Sequence, residues 1–536
     1  MEPLLLQQLL RYETLLFAAF FILMFLIAAA RRFSFPYDLE WMEGGVADHV
    51  LRILSGKQLY VEPSLDFIPY TYTPLYFYTG ALFSLLLGDG YLPLRLISIL
   101  ATLGGFALVF MLVRRETGSG LYGMVGAGLM AATYVVSGTW FDLARADSLF
   151  LLLLLASIVL LRFSEEPVSL FLAGLLMSLS FLTKQTAAFM AVAMSIYCLV
   201  YLPRWRKAVF PLTFAAIVGL STLVFNLISD GWYFYYIFRL PRKKGTIAGQ
   251  VTDFWLSDMK VLYLSLALAL AFLLILLFWW KVRDFAFYGL FFISMVGSSW
   301  LVSDYQGSYS DVLIPALAAM AILAPMGANL LVGFATAGGG VDESASRQGG
   351  GGRGRGQGRM REVAMLGNFV LLVLLLQFVF LLYNPLHQAP SAEDRTAGDM
   401  LVDLLDDFPG EVWVPTNGYL AHKAGKAMGA QMVAINDVYE WDGELSDKIA
   451  GEYRRAMEDR RYDAVILYSD ISPDFYLRRD AEKNAVEATT LVGKVFFDSK
   501  TFFPATGAWA RPDMIFIFRP GWDWDRYYRK YPGMFR

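Results

Sequence analysis

The chain holds one cysteine in 536 residues, Cys198, and it sits inside an apolar run. No intramolecular disulfide can form. Histidine is nearly as scarce. His49, His387 and His422 lie far apart and show no metal-ligand spacing. Charge is thin too: Asp, Glu, Lys and Arg make up 17% of the chain, with a net charge of -3. The net charge says little, because the charges are segregated by position; no nucleic-acid partner is expected. What abounds is apolar surface: 57% of residues are hydrophobic and the mean hydropathy is +0.47. Uncharged stretches of about 17–25 residues recur, the length that crosses a bilayer core. The chain reads as a polytopic α-helical membrane protein.

Basic residues set its expected orientation, because they favour the cytoplasmic side. Arg114 and Arg115, Arg162, Arg204 with Arg206 and Lys207, and Lys281 with Arg283 each follow an apolar span. Five more arginines lie in a Gly/Arg-rich stretch, 337–361, which has too little apolar surface to fold and reads as a disordered cytoplasmic loop. Its arginines can touch anionic lipid heads. Placing all of these inside gives crossings at 14–30, 91–113, 121–140, 148–161, 167–183, 187–203, 208–229, 260–280, 285–302, 312–334 and 363–383, about eleven in all. No small-residue cleavage site follows 14–30, which reads as a retained helix. The piece 74–88 is about 22 Å of helix against a core of about 30 Å, so it reads as juxtamembrane or re-entrant. Counting it as a crossing would turn the basic clusters outward, against the charge rule. The expected protein is an integral protein of the plasma (inner) membrane, N-terminus cytoplasmic, C-terminal part outside.

Two domains follow. Residues 1–383 form the membrane domain, with a long first outer loop at 33–90. Residues 384–536 have the composition of a soluble extracytoplasmic α/β domain. There 392–408 and 443–461 read as helices, and 411–415, 462–469, 493–498 and 513–518 as strands. No Gly-rich phosphate fingerprint appears in it.

The chemistry gathers on the outer side. The first loop is far longer than a tether requires, and long loops at a membrane surface carry function. It holds Asp38, Glu40 and Glu43, the last two at helical i, i+3 spacing. Such carboxylates can take a proton from a hydroxyl, bind a cation, or simply be solvated charges or a helix cap. A second group, FDLARAD at 141–147, puts Asp142, Arg145 and Asp147 in a turn of a few residues between apolar spans. Charges at that depth must pair or face a polar cavity. A third group breaks the charge rule: Arg239, Arg242, Lys243 and Lys244 lie in an outer loop beside Trp232, Tyr233, Phe234, Tyr235 and Tyr236. Cations among interfacial aromatics suit an anionic lipid headgroup, or merely anchor helices. Lys184, at the outer end of a span, adds another phosphate contact on the same reading.

DLEWMEGG with LSGKQLY, YTYTPLYFY, LARADSLF, GLLMSLSFLTKQT and SDYQGSYSDVLIPA occur in that order over roughly 36–318. Together they resemble the GT-C superfamily of integral-membrane glycosyltransferases, in the style of protein O-mannosyltransferases and aminoarabinose transferases (glycosyltransferase family 39-like). The resemblance implies a GT-C fold and an inverting transfer of a sugar from a polyprenyl-phosphate carrier to a lipid, glycan or protein acceptor. It also implies a catalytic carboxylate in the first loop, among Asp38, Glu40 and Glu43, and a second acidic residue about a hundred residues on, at Asp142 or Asp147. Arg145, Lys184, Arg239, Arg242, Lys243 and Lys244, with Tyr305 and Tyr309 of the last motif, form the expected substrate-binding set. The chain departs from the family where Asp-Leu-Glu replaces an Asp-Glu pair, and where Tyr72-Thr73-Pro74 stands for Lys-Pro-Pro, so that one phosphate-binding lysine is missing. A metal is not obligatory for a phosphate leaving group; Asp-Leu-Glu would bind Mg²⁺ or Mn²⁺ if the donor were a pyrophosphate. The rival readings are a flippase of lipid-linked saccharides, a non-enzymatic assembly protein, and a polymerase or ligase of surface glycans.

Overall fold

A computed structural model describes residues 3–246, 249–305, 307–337, 352–467, 474–491, 494–495, 512 and 514–530. It is mostly helical. Seven helices are long and apolar enough to cross a membrane: Leu5–Arg32, Tyr91–Thr117, Arg206–Ile228, Lys260–Phe278, Val282–Ser303, Ser310–Gly333 and Val363–Phe380. Shorter helices fill the bundle between them. In chain order the first nine helices are α1 (Pro3–Arg32), α2 (Glu43–Leu54), α3 (Leu75–Leu87), α4 (Tyr91–Thr117), α5 (Gly120–Ala132), α6 (Asp147–Phe163), α7 (Pro167–Thr183), α8 (Ala187–Tyr201) and α9 (Arg206–Ile228). This is an integral membrane protein; against the eleven or so crossings expected from the apolar runs, seven described helices have crossing length.

The bundle packs around the helix Ile314–Ala337, whose residues from Ala316 to Ala324 are all buried. Small side chains let its neighbours come close. A Cβ on Gly327 would lie 2.0 Å from the Leu268 carbonyl oxygen of the helix Tyr263–Phe278, and one on Gly128 of α5 would lie 2.5 Å from Ala18 of α1. Close backbone approach of this kind stands in for the hydrophobic effect, which gives helices no mutual attraction in lipid.

The two ends of the bundle differ. At one end Arg162 bridges Glu116 at 2.6 Å and Asp284 at 2.7 Å, Arg283 pairs with Glu165, and Arg206 lies 4.0 Å from Glu166. These are residues of the basic clusters. The other end gathers the first loop, residues 133–146, Lys184, the segment 229–260, Asp311 and the C-terminal domain. Both flanks of α3 touch that domain: Thr71 hydrogen-bonds Asp437 at 3.3 Å, and Asp89 faces His422 at 3.0 Å. The chain therefore enters and leaves α3 at the same end, as its length requires.

Three expectations change. The helix expected over 121–140 stops at Ala132, and Gly138 and Thr139 turn the chain with φ of 71° and 62°. Tyr134 and Trp140 are thereby spent on building the site end. The Gly/Arg-rich stretch is helical from Gly352, in one piece with the apolar span that ends at Phe380; residues 338–351 lie outside the described set. The third described strand is β3, Glu487–Thr490; of the strand expected at 493–498, Lys494 and Val495 form a turn, and 493 and 496–498 lie outside the described residues. β3 was hidden because its sequence, EATT, is a polar edge.

The C-terminal sheet has the order β1-β2-β4-β3, with β1 (Val412–Trp413) parallel to β2 (Ala464–Leu467) and β4 (Met514–Ile517) antiparallel to both of its neighbours. The domain does not stand apart. Trp41, Met42, Val46, Tyr60 and Tyr70 of the first loop share one core with Trp413, Tyr419, Met432 and Ile435. Backbone joins backbone there, with Ala430 N–H donating to the Leu65 carbonyl at 2.7 Å. Gly44 and Gly45 make the docking possible: a Cβ on Gly44 would lie 2.9 Å from Asn417 Oδ1, and one on Gly45 3.0 Å from Gln431 Cγ.

Gly327→Leu should force the two central helices apart. The expected outcome is a loss of about 1–3 kcal/mol or more, read as a lower melting temperature and a smaller monodisperse fraction in size-exclusion chromatography of the detergent-solubilised protein.

Candidate active site

The site begins with an arginine in the apolar part of a helix. Arg95, near the start of α4, is fully buried. A charge there needs partners. Its guanidinium donates to Glu43 Oε1 at 3.0 Å and Oε2 at 2.6 Å, and to the carbonyls of Arg32, Phe35 and Tyr37 at 3.2, 2.6 and 2.7 Å. Glu43 also accepts from the backbone N–H groups of Leu39 and Ala144, both at 2.7 Å. Burial alone would raise its carboxyl; Arg95 and these donors reverse that and hold it below the ordinary glutamate range. Glu43 is thus saturated, and it ties the first loop to the turn at 144.

That turn aims three charges. Asp142 points away from the loop: Arg32 approaches it at 3.2 Å and the Tyr134 hydroxyl donates to it at 2.9 Å. Arg145 donates to the Tyr72 hydroxyl at 2.9 Å, reaches Glu40 at 3.4 Å and stacks on Trp140, 4.3 Å from the ring centre. Asp147 opens α6 and receives Lys184 Nζ at 2.5 Å; the same ammonium meets Asp311 at 2.9 Å. Burial would lower Lys184, but the two aspartates keep it charged well beyond the usual lysine range. One of its three donors is left over.

These groups line a cavity of about 450 Å³. Arg145, Lys184, Arg242 and Lys244 supply its cations, and Tyr72, Tyr305 and Tyr309 its hydroxyls. Phe181, Phe189 and Phe238 supply an apolar side. Lys244 pairs with Asp437 of the C-terminal domain at 2.8 Å, whereas Arg242 forms no ion pair among the described residues. Two short π-helical segments, Tyr235–Arg239 and Phe254–Asp258, bracket the loop that carries Arg242 and Lys244.

Glu40 sits behind Arg145 and Tyr309. It is fully buried, and its Oε1 has no hydrogen-bond partner among the described residues. Burial drives its carboxyl up; Arg145 opposes this only in part, and it stands at about 8. Glu40 precedes α2, which begins at Glu43, so the two do not share a helix face. The chain turns between them, with Glu43 N–H donating to the Glu40 carbonyl at 3.0 Å.

Of the residues proposed from sequence, Arg145, Lys184, Arg242, Lys244, Tyr305 and Tyr309 line the cavity, with Glu40 and Asp147 directly behind them. Others do not reach it. Arg239 is exposed beside Phe234, Lys243 pairs with Asp442 at 2.7 Å, and Asp142 and Glu43 are consumed in structural pairs. Asp38 turns the other way, toward Gly44 and Tyr91. Tyr72, Trp140, Asp311 and Arg95 were missed. Tyr72 and Asp311 lie within the quoted motifs, and Arg95 carried its own signal as a lone charge in an apolar span.

The donor set of the cavity does not fit a divalent metal. Glu40 faces Arg145, and Asp147 and Asp311 share Lys184, so each carboxylate already has a cation. Asp38 and Glu40 of the Asp-Leu-Glu segment do not converge on one point.

Comparison with known proteins places this geometry. Residues 71–228, which carry Tyr72, Arg145, Asp147 and Lys184, match the family described as dolichyl-phosphate-mannose-protein mannosyltransferase. In structure the chain is similar to the ArnT protein of Cupriavidus metallidurans along nearly its whole length. The apo form gives a TM-score of 0.56 at 12% identity, covering 93% of this chain and 97% of that one. The chain has the GT-C fold. The form of ArnT bound to undecaprenyl phosphate gives 0.53 at 13% identity, with the same coverage. No curated protein matches the chain by sequence.

Arg95→Met leaves Glu43 buried without its partner. The expected cost is about 3–5 kcal/mol, seen as a large fall in melting temperature. Restoring charge balance with Glu43→Gln in the same chain should recover part of it.

Proposed function

We propose that this GT-C protein transfers a sugar from a polyprenyl-phosphate donor to a hydroxyl acceptor, with inversion, at the outer membrane face. The observation that carries the proposal is the cavity: four basic side chains, three tyrosines and three phenylalanines line it, and a buried carboxylate of raised pKa lies behind Arg145. An anionic headgroup with an apolar tail needs that combination. The likeness to a protein crystallised with undecaprenyl phosphate supports it.

In the proposed step Glu40, as carboxylate, takes the proton of the acceptor hydroxyl. The freed oxygen attacks the anomeric carbon from the face opposite the phosphate. The bond from that carbon to the phosphate oxygen breaks, and the polyprenyl phosphate leaves with the electron pair. Arg242, the free donor of Lys184 and Lys244 meet the charge that grows on the leaving oxygen, and stabilise the transition state more than the donor. Arg145 holds Glu40 and Tyr72 in place. Asp147 and Asp311 orient Lys184. The donor sugar is a pentose or hexose, and the acceptor a lipid, a glycan or a protein.

Turnover of a panel of radiolabelled polyprenyl-phosphate sugars by purified protein tests this. Glu40→Gln should lose about 10²–10⁴-fold in kcat while melting near the wild-type temperature. Wild-type kcat/KM should rise with pH and level off above about 8, because the base works only when deprotonated and burial raises its carboxyl to about 8. A rate flat from pH 6 to 9, or a Glu40→Gln variant with full turnover, would remove Glu40 from the role.

A further inference from the structure

One helix of the C-terminal domain, Met432–Trp441, touches the site end of the molecule at several points. Its buried residues Met432, Ala434, Ile435 and Val438 sit in the core shared with the first loop. Gln431 caps it, its side chain accepting from the Val433 N–H at 2.7 Å, and the same side chain donates through Nε2 to the Trp41 carbonyl at 3.1 Å. Trp41 follows Glu40 in the chain. The Met432 N–H donates to the Pro415 carbonyl at 2.7 Å. The helix therefore has a fixed place against the first loop.

From its middle, Asp437 grips two residues that line the cavity. Its Oδ1 lies 2.8 Å from Lys244 Nζ, and its Oδ2 accepts from the Thr71 hydroxyl at 3.3 Å. Lys244 and Thr71 are lining residues; Asp437 is not. Thr71 is in turn tied to the lining, because its carbonyl accepts from Gln185 Nε2 at 2.7 Å and the next residue, Tyr72, receives Arg145 on its hydroxyl. One carboxylate thus joins the first loop to the loop that carries Arg242. Burial would lower Lys244, but Asp437 reverses this and holds its ammonium above the usual lysine range. An ammonium has three donors, so the pair leaves Lys244 able to hold an anion as well. Lys184 is kept the same way by Asp147 and Asp311. A lysine ordered beforehand loses less freedom when it takes a phosphate.

We propose that Asp437 is a positioning residue: by holding Lys244 and Thr71 at the cavity lining, the C-terminal domain sets the affinity of the site for its phosphate-bearing lipid. The inference rests on the reading of the cavity as a polyprenyl-phosphate site.

Calorimetric titration of a short-chain polyprenyl phosphate into the full-length protein in detergent tests it. Asp437→Asn should raise Kd about 2–10-fold, the range for ordering one long side chain on binding, and melt near the wild-type temperature. Asp437→Glu should restore part of the affinity. In a Lys244→Met background, Asp437→Asn should weaken binding no further. Glu62→Gln, which removes an ion pair to Lys448 between the first loop and the same domain, should leave Kd unchanged. The inference is overturned if Asp437→Asn binds as tightly as wild type or more tightly, since Asp437 then only neutralises Lys244. It is overturned equally if the loss is as large in Lys244→Met, or if Glu62→Gln causes the same loss. A wild type that binds no polyprenyl phosphate removes the reading of the cavity, and this inference with it. Should Asp437→Asn fail to fold, a structure of the wild-type complex decides. Lys244 on the phosphate while still paired with Asp437 supports the inference, and Lys244 released from Asp437 overturns it.

Discussion

Arg95 is the interaction on which the rest depends. Its guanidinium satisfies Glu43 and three backbone carbonyls at once, all buried. Glu43 in turn holds the N–H groups of Leu39 and Ala144. One ion pair therefore fixes residues 32–43 against both the start of α4 and the turn that carries Arg145. An ion pair so deep is expensive to desolvate, and its worth lies in the register it imposes. Glu40 can be left with an unpartnered oxygen next to Arg145 because Glu43, three residues on, has taken the structural load.

The same division of labour runs through the site. Each acid near the cavity has a cation assigned to it, and the assignments are uneven. Asp147 and Asp311 crowd Lys184; Glu40 has only the long contact to Arg145; Arg242 has no carboxylate among the described residues. A cavity with its positive charge partly uncommitted is ready for an anion, and one whose acid is under-compensated is ready for a proton. The C-terminal domain contributes to that balance through Asp437 and Asp442, which pair with Lys244 and Lys243. It shares a core with the first loop.

Much of this was legible in the sequence. The spans at 91–113, 208–229 and 363–383 announce themselves because helices in lipid must be long, apolar and internally hydrogen-bonded. The length of 74–88 already argued against a crossing. The motif residues Arg145 and Lys184 were legible as charges that a short turn does not need. Which of Asp38, Glu40 and Glu43 faces the cavity was not legible, because three acids within six residues differ only in the direction a turn gives them. Nor were the pairings: Asp142 is three residues from Arg145, yet it serves Arg32, which is distant in sequence. β3 was missed since an edge strand of two threonines, an alanine and a glutamate has no apolar stripe to read.

In the proposed function the cavity holds the phosphate of a polyprenyl carrier. A cryo-electron microscopy structure of the full chain with a saturating short-chain polyprenyl phosphate tests this. The phosphate is expected among Lys184, Arg242 and Lys244, with the isoprenoid chain leaving past Phe189 and Phe238. Density for the phosphate at another place on the protein, with this cavity free of lipid, would contradict it.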